Sequence, residues 1–385
     1  MTKRSRVALG LFCLGVFTLV GAVAGIASDE PILHRFHSIS LVSSTVPSNG
    51  DVNPYGVAQV KRSTGNLTQG NILVSNFNNV SNLQGKGSTI VQISPDGSFS
   101  QFAHIRASDL PGQCTGGVGL TTALVVLRSG WVFVGSLPTT NGMSATMKAG
   151  CLIVLDSTGH PVETFYGSLI NGPWDMTASE HGDRVKLYYT NVLNGIVAGN
   201  GNIVNGGTIV RMDLHATDTQ MPSIESMTVI GSGFEEQTSS SALVVGPTGV
   251  GLTASCDQYN NCTSSDDDSQ DVDLVIADTL LNRIQVIPHA NHRQDSAGTG
   301  ITLSSGGALN GPLGLTVADN GEILTVNGGD GRIVEISPNG TQVATKYLDT
   351  IGTPPGNGAL FGLAFDPVNG IYFVDDNENQ LNVLH

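Results

Sequence analysis

The sequence predicts an all-β fold built from repeated antiparallel meanders, and three observations support this. The 385-residue chain has 49 glycines and only 13% charged residues, which suits many short strands joined by tight turns. It is 39% hydrophobic, enough to bury a core, so a disordered chain is excluded. An apolar strand that ends in a short polar residue recurs six times, which is the pattern of a repeat protein.

The first element along the chain is an export segment. Lys3, Arg4 and Arg6 precede an apolar run over 7–27, and polar sequence begins at Ser28. Small residues at 25–27 favour cleavage by a signal peptidase, with an uncleaved membrane anchor as the alternative because the run is long enough to span a bilayer. Either way, the sequence predicts that residues 28–385 are exported to the periplasm or the extracellular space, with no other membrane contact.

The cysteines agree with an oxidising compartment. Four of them follow the export segment, an even number that permits three pairings. The short spacing favours Cys256–Cys262, which leaves Cys114–Cys151 by elimination. A metal site is the weaker alternative, because the chain lacks the Cys-x-x-Cys spacing and a nearby pair of histidines.

Each repeat supplies at least three short strands. A strand led by Gly or Pro comes first, and the third strand often closes in a turn such as Ser-Pro-Asp-Gly. The second strands end at Asn76, Ser136, Asn191, Asp278, Asn327 and Asp375. Such units cannot bury both faces alone, so they must stack on one another.

The two ends of the chain predict how the repeats are arranged. The sixth unit stops at His385 after its third strand, and an unassigned strand over 37–46 lies upstream of the first unit. If this strand completes the sixth unit, the repeats close into a ring with no open sheet edge. A linear solenoid would instead need atypical capping units. The sequence therefore predicts a six-bladed β-propeller, closed by the N-terminal strand, as a single domain over 28–385.

Segment 311–340, GPLGLTVADNGEILTVNGGDGRIVEISPNG, resembles an NHL repeat in its Pro-x-Gly, its polar strand end and its Arg-Ile and Ser-Pro-x-Gly elements. Residues 53–97 are a looser copy, and 271–288 keeps Asp-x-x-x-Asn-Arg-Ile. The resemblance implies an NHL-like six-bladed propeller, with lactonase-like propellers more distant. It implies little about activity, because propellers host many functions.

The repeats are longer than the roughly 40–50 residues typical of propeller blades, and the excess lies in three inserted loops, 137–149, 192–206 and 251–272. The last carries two of the cysteines and an acidic run with Asp266, Asp267, Asp268, Asp271 and Asp273. This run lacks the central Gly and the final Glu of an EF-hand loop, so a solvated insertion is preferred over a calcium loop.

The polar strand ends form the candidate site. In a propeller, the loops after second strands and before first strands open on one face, so these ends should converge there with Tyr55 and Trp174. Carboxylate and amide oxygens suit Ca²⁺, the cofactor that Asn76, Asn191, Asp278, Asn327 and Asp375 would hold. The alternative is that each side chain only caps its own turn.

No common catalytic signature occurs: the sequence has no nucleophile elbow, His-Glu-x-x-His motif, P-loop or Rossmann fingerprint, so catalytic residues are not identified. His289 and His292 are the one close histidine pair, and a solvated turn is the preferred interpretation. The net charge of -15 disfavours nucleic acid. The leading hypothesis is a monomeric exported propeller that binds a protein, peptide, glycan or small molecule on one face.

Two enzyme hypotheses compete with the binding module. The first is a calcium-dependent hydrolase or lyase with its metal at the channel mouth. Lactonase-like sites add a Glu to the Asn and Asp ligands, and no strand end here is Glu; lyase-like sites use His ligands that have no counterpart. The second, a quinone-dependent sugar dehydrogenase, is weaker because basic residues are few.

Overall fold

A computed structural model describes residues 30–254 and 271–385, which form six antiparallel sheets arranged as the blades of a β-propeller. The predicted fold class is therefore confirmed. The predicted export segment 1–27 lies outside the described residues. Within them, no helix is long and apolar enough to cross a membrane.

The first three blades follow the chain in order. Blade one contains β2 (Val52–Gln59), β3 (Ile72–Asn78), β4 (Thr89–Ile93) and β5 (Phe99–His104). Blade two contains β6 (Leu120–Val126), β7 (Val132–Ser136), β8 (Cys151–Leu155) and β9 (Pro161–Phe165). Blade three contains β10 (Pro173–His181), β11 (Arg184–Asn191), β12 (Val204–His215), β13 (Ser223–Ser239) and a fifth strand, β14 (Leu243–Val245).

The other three blades each have four strands. Blade four contains β15 (Pro247–Ala254), β16 (Val272–Asp278), β17 (Arg283–Ile287) and β18 (Ile301–Ser305). Blade five contains β19 (Pro312–Val317), β20 (Ile323–Asn327), β21 (Arg332–Ile336) and β22 (Gln342–Tyr347). Blade six contains β23 (Leu360–Asp366), β24 (Gly370–Asp375), β25 (Gln380–Leu384) and, from the N-terminal side, β1 (Ile39–Ser44).

Strand β1 closes the ring. It pairs antiparallel with β25, with Ile39 opposite Leu384 and Ser44 opposite Gln380. The backbone N–H groups of His37 and Ser38 also donate to the carbonyl of His385, each at 2.9 Å. The predicted closing strand 37–46 is confirmed, and its pairing satisfies the edge that blade six would otherwise expose.

The innermost strand of each blade packs against the innermost strands of both neighbours, including β2 of blade one against β23 of blade six. Between successive blades lie clusters of fully buried aliphatic and aromatic side chains, such as Ile153 with Leu73 and Val275 with Val334. Burying these apolar faces is the main stabilising contribution that each repeat gains from its neighbours.

Short helical turns and one disulfide complete the fold. Helix α1 (Ile32–Arg35) precedes β1, and the buried carboxylate of Glu335 accepts hydrogen bonds from the N–H groups of Ile32 and Leu33 at 2.6 and 2.8 Å. Helix α2 (Ile196–Gly199) lies in loop 192–206, and a 3-10 turn (Ser144–Thr146) lies in loop 137–149.

Cys114 and Cys151 are disulfide-bonded, as predicted. The predicted Cys256–Cys262 pair lies outside the described residues. Strand β15 continues to Ala254 and β16 begins at Val272, so the first residues of the predicted insertion 251–272 belong to the blade rather than to a loop.

Candidate functional site

All six blades share one backbone feature where the innermost strand begins. The polar residue that ends each second strand lies opposite the first residue of the innermost strand, and a β-bulge follows. The opposed pairs are Pro54 with Asn76, Leu120 with Ser136, Pro173 with Asn191, Pro247 with Asp278, Pro312 with Asn327, and Leu360 with Asp375. All the predicted strand-end residues therefore lie at one end of the propeller, here called the upper face.

Three strand-end side chains hold the turn that leads into their own blade. Ser136 Oγ accepts a hydrogen bond from the N–H of Gly119 at 3.0 Å. Asn191 Oδ1 accepts from Gly172 N–H at 2.7 Å, and Asn327 Oδ1 accepts from Asn310 N–H at 3.1 Å. In these blades the structure has the local turn-capping geometry that the sequence offered as the alternative to a metal ligand.

The two strand-end carboxylates are engaged differently. Asp278 Oδ2 accepts from Arg283 Nε at 2.8 Å, and burial raises the pKa of Asp278. Asp375 Oδ1 accepts from the backbone of Glu378 at 3.3 Å, while burial and the nearby Asp349 carboxylate raise the pKa of Asp375 to about 6. Both carboxyl groups are buried where desolvation disfavours charge.

Asn76 is the remaining member of the set. Its Nδ2 donates to the carbonyl of Thr45 at 3.0 Å, which ties blade one to the segment that follows β1. Asn76 Oδ1 and Asp278 Oδ1 are both buried and have no hydrogen-bond partner among the described residues. These two oxygens are the free acceptors that the upper-face ring offers to a ligand.

Tyr55 and Trp174 meet at the upper face, but inside a closed aromatic cluster. The Tyr55 ring stacks on Phe77 at 4.5 Å and on Phe361 at 4.0 Å between centroids, and Trp174 contacts Tyr55 edge-on at 6.0 Å. Tyr55 is 0% exposed and Trp174 is 2% exposed. The two aromatics predicted for an open binding face therefore fill the upper end of the propeller axis.

The axis below this cluster is a channel of about 400 Å³, lined by the innermost strands of all six blades. Gln59, Lys61, Arg128 and Glu180 line its opposite end, here called the lower face. Both carboxylate oxygens of Glu180 accept from the N–H of Arg128, at 3.1 and 3.0 Å. Because the upper end is filled, the channel opens at the lower face.

Glycine occupies the second bulge position of the innermost strand in four blades, as Gly56, Gly249, Gly314 and Gly362. A Cβ on Gly314 would collide with the carbonyl oxygen of Phe361 in the next blade, and a Cβ on Gly362 would collide with that of Tyr55. The Pro-x-Gly pattern therefore reflects the close approach of neighbouring innermost strands.

Blade three has Asp175 at this position. One carboxylate oxygen accepts from Met176 N–H at 2.9 Å, and the other accepts from Val250 N–H of blade four at 3.2 Å. The side chain lies in the channel wall, and burial raises the pKa of Asp175 well above its ordinary value, although the two N–H groups oppose the shift. Blade two also departs from glycine: Thr122 Oγ1 donates to the carbonyl of Trp174.

Sequence reasoning missed Asp175. The signal is present, because Pro173-Trp174-Asp175 aligns with the Pro-x-Gly of the sister blades. Blades two and three both lack the glycine, and the replacement in blade three is a carboxylate, which places an ionisable group in the channel wall.

The remaining sequence candidates do not assemble into a metal centre. Among the described residues, no group of three His, Cys, Asp or Glu side chains is placed to hold a metal ion. His289 Nδ1 lies 3.0 Å from Asp271, and its backbone N–H donates to Asp273, so it pairs with the end of the acidic run. His292 lies beside Asn291, and Asp266, Asp267 and Asp268 lie outside the described residues.

No family model matches the chain, and no curated protein matches its sequence. Among solved structures, the chain is similar to a gluconolactonase from Xanthomonas campestris, with 11% identity, a TM-score of 0.51 and coverage of 89% of this chain and 88% of that chain. It is also similar to a calcium-binding protein, regucalcin, from Agrobacterium tumefaciens (11% identity, TM-score 0.54, 89% and 93% covered). A third similar structure is an oxidoreductase named as a glucose dehydrogenase from Thermus thermophilus (12% identity, TM-score 0.51, 90% and 99% covered).

At these identities the likeness shows the fold alone. The chain is a six-bladed propeller whose structural neighbours include gluconolactonase and regucalcin propellers. Its membership of the NHL family stays a prediction from the repeat at 311–340.

Proposed function

We propose that the chain is an exported hydrolase or lyase that holds a small polar molecule in the central channel, with Asp175 as its general acid. The observation that carries the proposal is Asp175 itself, a channel carboxyl group at a position where four sister blades have glycine. Blade two also lacks this glycine, but its Thr122 donates to the carbonyl of Trp174, whereas Asp175 brings an ionisable group to the channel wall.

The environment of Asp175 suits proton donation. Burial favours its protonated form, and a carboxylic acid with a raised pKa is the form that protonates a leaving oxygen near neutral pH. The Met176 and Val250 N–H groups fix both oxygens, so the carboxyl group is oriented before a ligand arrives. Thr177 and Ser179 of the same strand line the channel toward its lower opening, where hydroxyl-bearing ligands would find hydrogen-bond partners.

The shape of the molecule favours a small ligand over a macromolecular one. At the upper face, which a scaffold would use, the aromatic side chains Tyr55 and Trp174 are buried. The similar structures are named for a lactonase, a calcium-binding protein and a glucose dehydrogenase, which supports a small molecule as the ligand class. The earlier hypothesis of a binding module becomes the second candidate, in which Asp175 binds but does not donate a proton.

Calcium, which the regucalcin likeness suggests, does not fit the upper-face ring as one shared site. The oxygens of Asn191 and Asn327 are already bound to backbone N–H groups. The free polar atom of Asn191 is its Nδ2, a donor that repels a cation. Only Asn76 and Asp278 offer a free buried oxygen, and hard cations prefer six or more oxygen ligands.

The test compares three forms of the mature chain: the parent, Asp175→Asn and Asp175→Gly. Asp175→Asn keeps the size of the side chain but cannot donate a carboxylic proton, and Asp175→Gly restores the residue of the sister blades. Ring opening of gluconolactone and other aldonolactones is measured through the proton that it releases. Binding of the same compounds is measured by calorimetry. We expect both variants to fold, and Asp175→Asn to bind a ligand of the parent while losing its turnover about 100-fold or more.

Unchanged turnover in both variants would show that Asp175 is not the acid. Binding without turnover in the parent, lost in Asp175→Gly, would support the binding module instead. If no aldonolactone binds to the parent, aldonolactones are not its substrates, and the proposed hydrolysis of aldonolactones is wrong.

A further inference from the structure

Blade three extends a β-hairpin, residues 237–245, over the upper end of the channel. Its strands are the end of β13 and β14, with Gln237 opposite Val245 and Ser239 opposite Leu243. We call this segment the covering hairpin. It has no counterpart in the other five blades, whose described sheets contain four strands each.

The tip of the covering hairpin is tied to blades one and two by polar contacts. Gln84 Nε2 of blade one donates to the carbonyls of Ser240 and Ser241 at 3.2 and 3.1 Å. Ser144 Oγ of blade two hydrogen-bonds to the carbonyls of Ser239 and Leu243 at 3.0 and 2.7 Å. The hairpin therefore reaches across the upper face, and its attachments are a few hydrogen bonds of about 1 kcal/mol each.

Leu243 is the apolar anchor of the hairpin. Its side chain is fully buried in the cluster that contains Tyr55 and Trp174. Its backbone has φ of 64°, a left-handed conformation that costs a non-glycine residue about 1 kcal/mol or more. Burial of the side chain holds the backbone in this conformation, and the backbone strain offsets part of the free energy gained by that burial.

Glu236 lies at the base of the same hairpin. It is 0% exposed, and neither carboxylate oxygen has a hydrogen-bond partner among the described residues. A Cβ placed on Gly206 would lie 2.7 Å from Glu236 Oε1 and would collide with the carbonyl oxygen of Asn194, so these two acceptors share one small space. The Asn194 N–H lies close enough to lower the pKa of Glu236 without the alignment of a hydrogen bond.

Among the described residues, no charged group is close enough to shift the pKa of Glu236. Loop 192–206, the covering hairpin and residues 246–254 contain no titratable side chain. The adjacent Glu235 has the same sign of charge and raises the pKa of Asp278 rather than stabilising Glu236. A neutral Glu236 is therefore favoured at the base of the hairpin, because its O–H can face the Asn194 carbonyl. An ionised Glu236 would be a buried charge without a partner there and is disfavoured.

We propose that the covering hairpin is a displaceable lid over the aromatic cluster at the upper end of the channel, held closed while Glu236 is protonated. Loss of the proton leaves an unpaired charge at the hairpin base, and exposure of that carboxylate to water then offsets the lost burial of Leu243. The opened lid uncovers Trp174 and Tyr55, which share the apolar cluster with Leu243. This inference does not depend on the reaction proposed for Asp175.

The direction of the pH dependence follows from the raised pKa of Glu236. Burial raises the pKa of Glu236 from 4.5 to about 8 in the closed state, and an exposed carboxyl group keeps its ordinary value. The closed state therefore binds the proton more tightly, and its advantage is greatest in acid and is lost as the pH rises through about 8. Opening should increase with pH in this window.

Tryptophan fluorescence reports the lid directly, because Trp131 and Trp174 are the only tryptophans of the chain. In Trp131→Phe protein, the quenching of Trp174 by acrylamide is measured between about pH 6 and about pH 9. We expect quenching to increase severalfold as the pH passes through about 8. Adding Glu236→Gln, which cannot ionise, should keep quenching low at every pH, and adding Gln84→Ala with Ser144→Ala should raise it even in acid.

Circular dichroism and melting curves at each pH show whether the propeller stays folded. A flat quenching profile in the Trp131→Phe protein would overturn the proposal, and so would an equal rise when Glu236→Gln is present. If Glu236→Gln does not fold, Leu243→Gly replaces it: this variant removes the anchor and the strain together, and low quenching in acid would then contradict the lid.

Discussion

Removing the closing strand is the sharpest test of the architecture. A chain that begins at Ser48 lacks β1, so β25 loses five paired residues of its partner. Backbone hydrogen bonds contribute about 1 kcal/mol each, and Val42 packs against the core cluster of blades one and six, so the loss is roughly 5–8 kcal/mol. This approaches the whole stability of a typical domain, about 5–15 kcal/mol, and we expect no cooperative transition in urea or on heating.

The chain itself supplies a matched control. The His385 N–H donates to Ser38 O at 2.8 Å, and the His385 carbonyl accepts from Ser38 N–H at 2.9 Å, so the end of β25 and the start of β1 already face each other as in a hairpin. A circular permutant that begins at Ser48 and joins His385 to Ser38 through Asn-Gly should place β1 in the same register. Both proteins lack α1, so their comparison isolates the strand.

The expected result is a permutant that unfolds cooperatively and a truncated chain that does not. The measurements are urea titrations followed by circular dichroism and calorimetric melting. A truncated chain that melts like the permutant would show that ring closure by β1 is not needed for stability, and the reasoning from the open edge would be wrong.

Three further predictions concern the disulfide and the strand ends. Replacing Cys114 and Cys151 together by Ser should lower the free energy of unfolding by about 4 kcal/mol, the chain-entropy value for a loop of this length, and equal urea midpoints for parent and variant would contradict it. Asn327→Ala should cost about 1 kcal/mol with or without calcium, because its side chain bonds only to neighbouring groups in its own blade. Asp278→Ala and Asp375→Ala should be additive, and a calcium-dependent rise in melting temperature that either variant abolishes would instead revive a shared metal site.

The local signals of the sequence predicted the scaffold. Strand periodicity, turn residues and the polar strand ends repeat in every blade because each meander folds by the same short-range rules. The closing strand followed from the missing edge partner after His385, and Cys114–Cys151 followed from counting cysteines. These features depend on hydrogen-bond satisfaction and chain connectivity, which sequence patterns record directly.

The candidate site was predicted only in part. Asn191 and Asn327 occupy the predicted face, but their hydrogen bonds are set by backbone N–H groups whose positions depend on the bulge geometry. The turn residues Tyr55 and Trp174 lie at that face but are buried, because Tyr55 stacks on Phe361 of blade six and the cluster includes Leu243 of the covering hairpin. An exposed aromatic and a buried one have the same sequence context when the cover comes from elsewhere in the chain.

By itself, then, the sequence determined the number of blades, the strand that closes them and the residues at the strand ends. The blades and the strand ends recur as local patterns, and the closing strand followed from counting the strands of the sixth repeat. Only the tertiary structure decided that the upper end is covered, that the channel opens at the lower face and that Asp175 lies in its wall. The physical reason is distance along the chain. The covering hairpin bonds to Gln84 and Ser144 of other blades, and Asp175 gains its environment from Val250 of the next blade, so neither role is encoded in a local pattern.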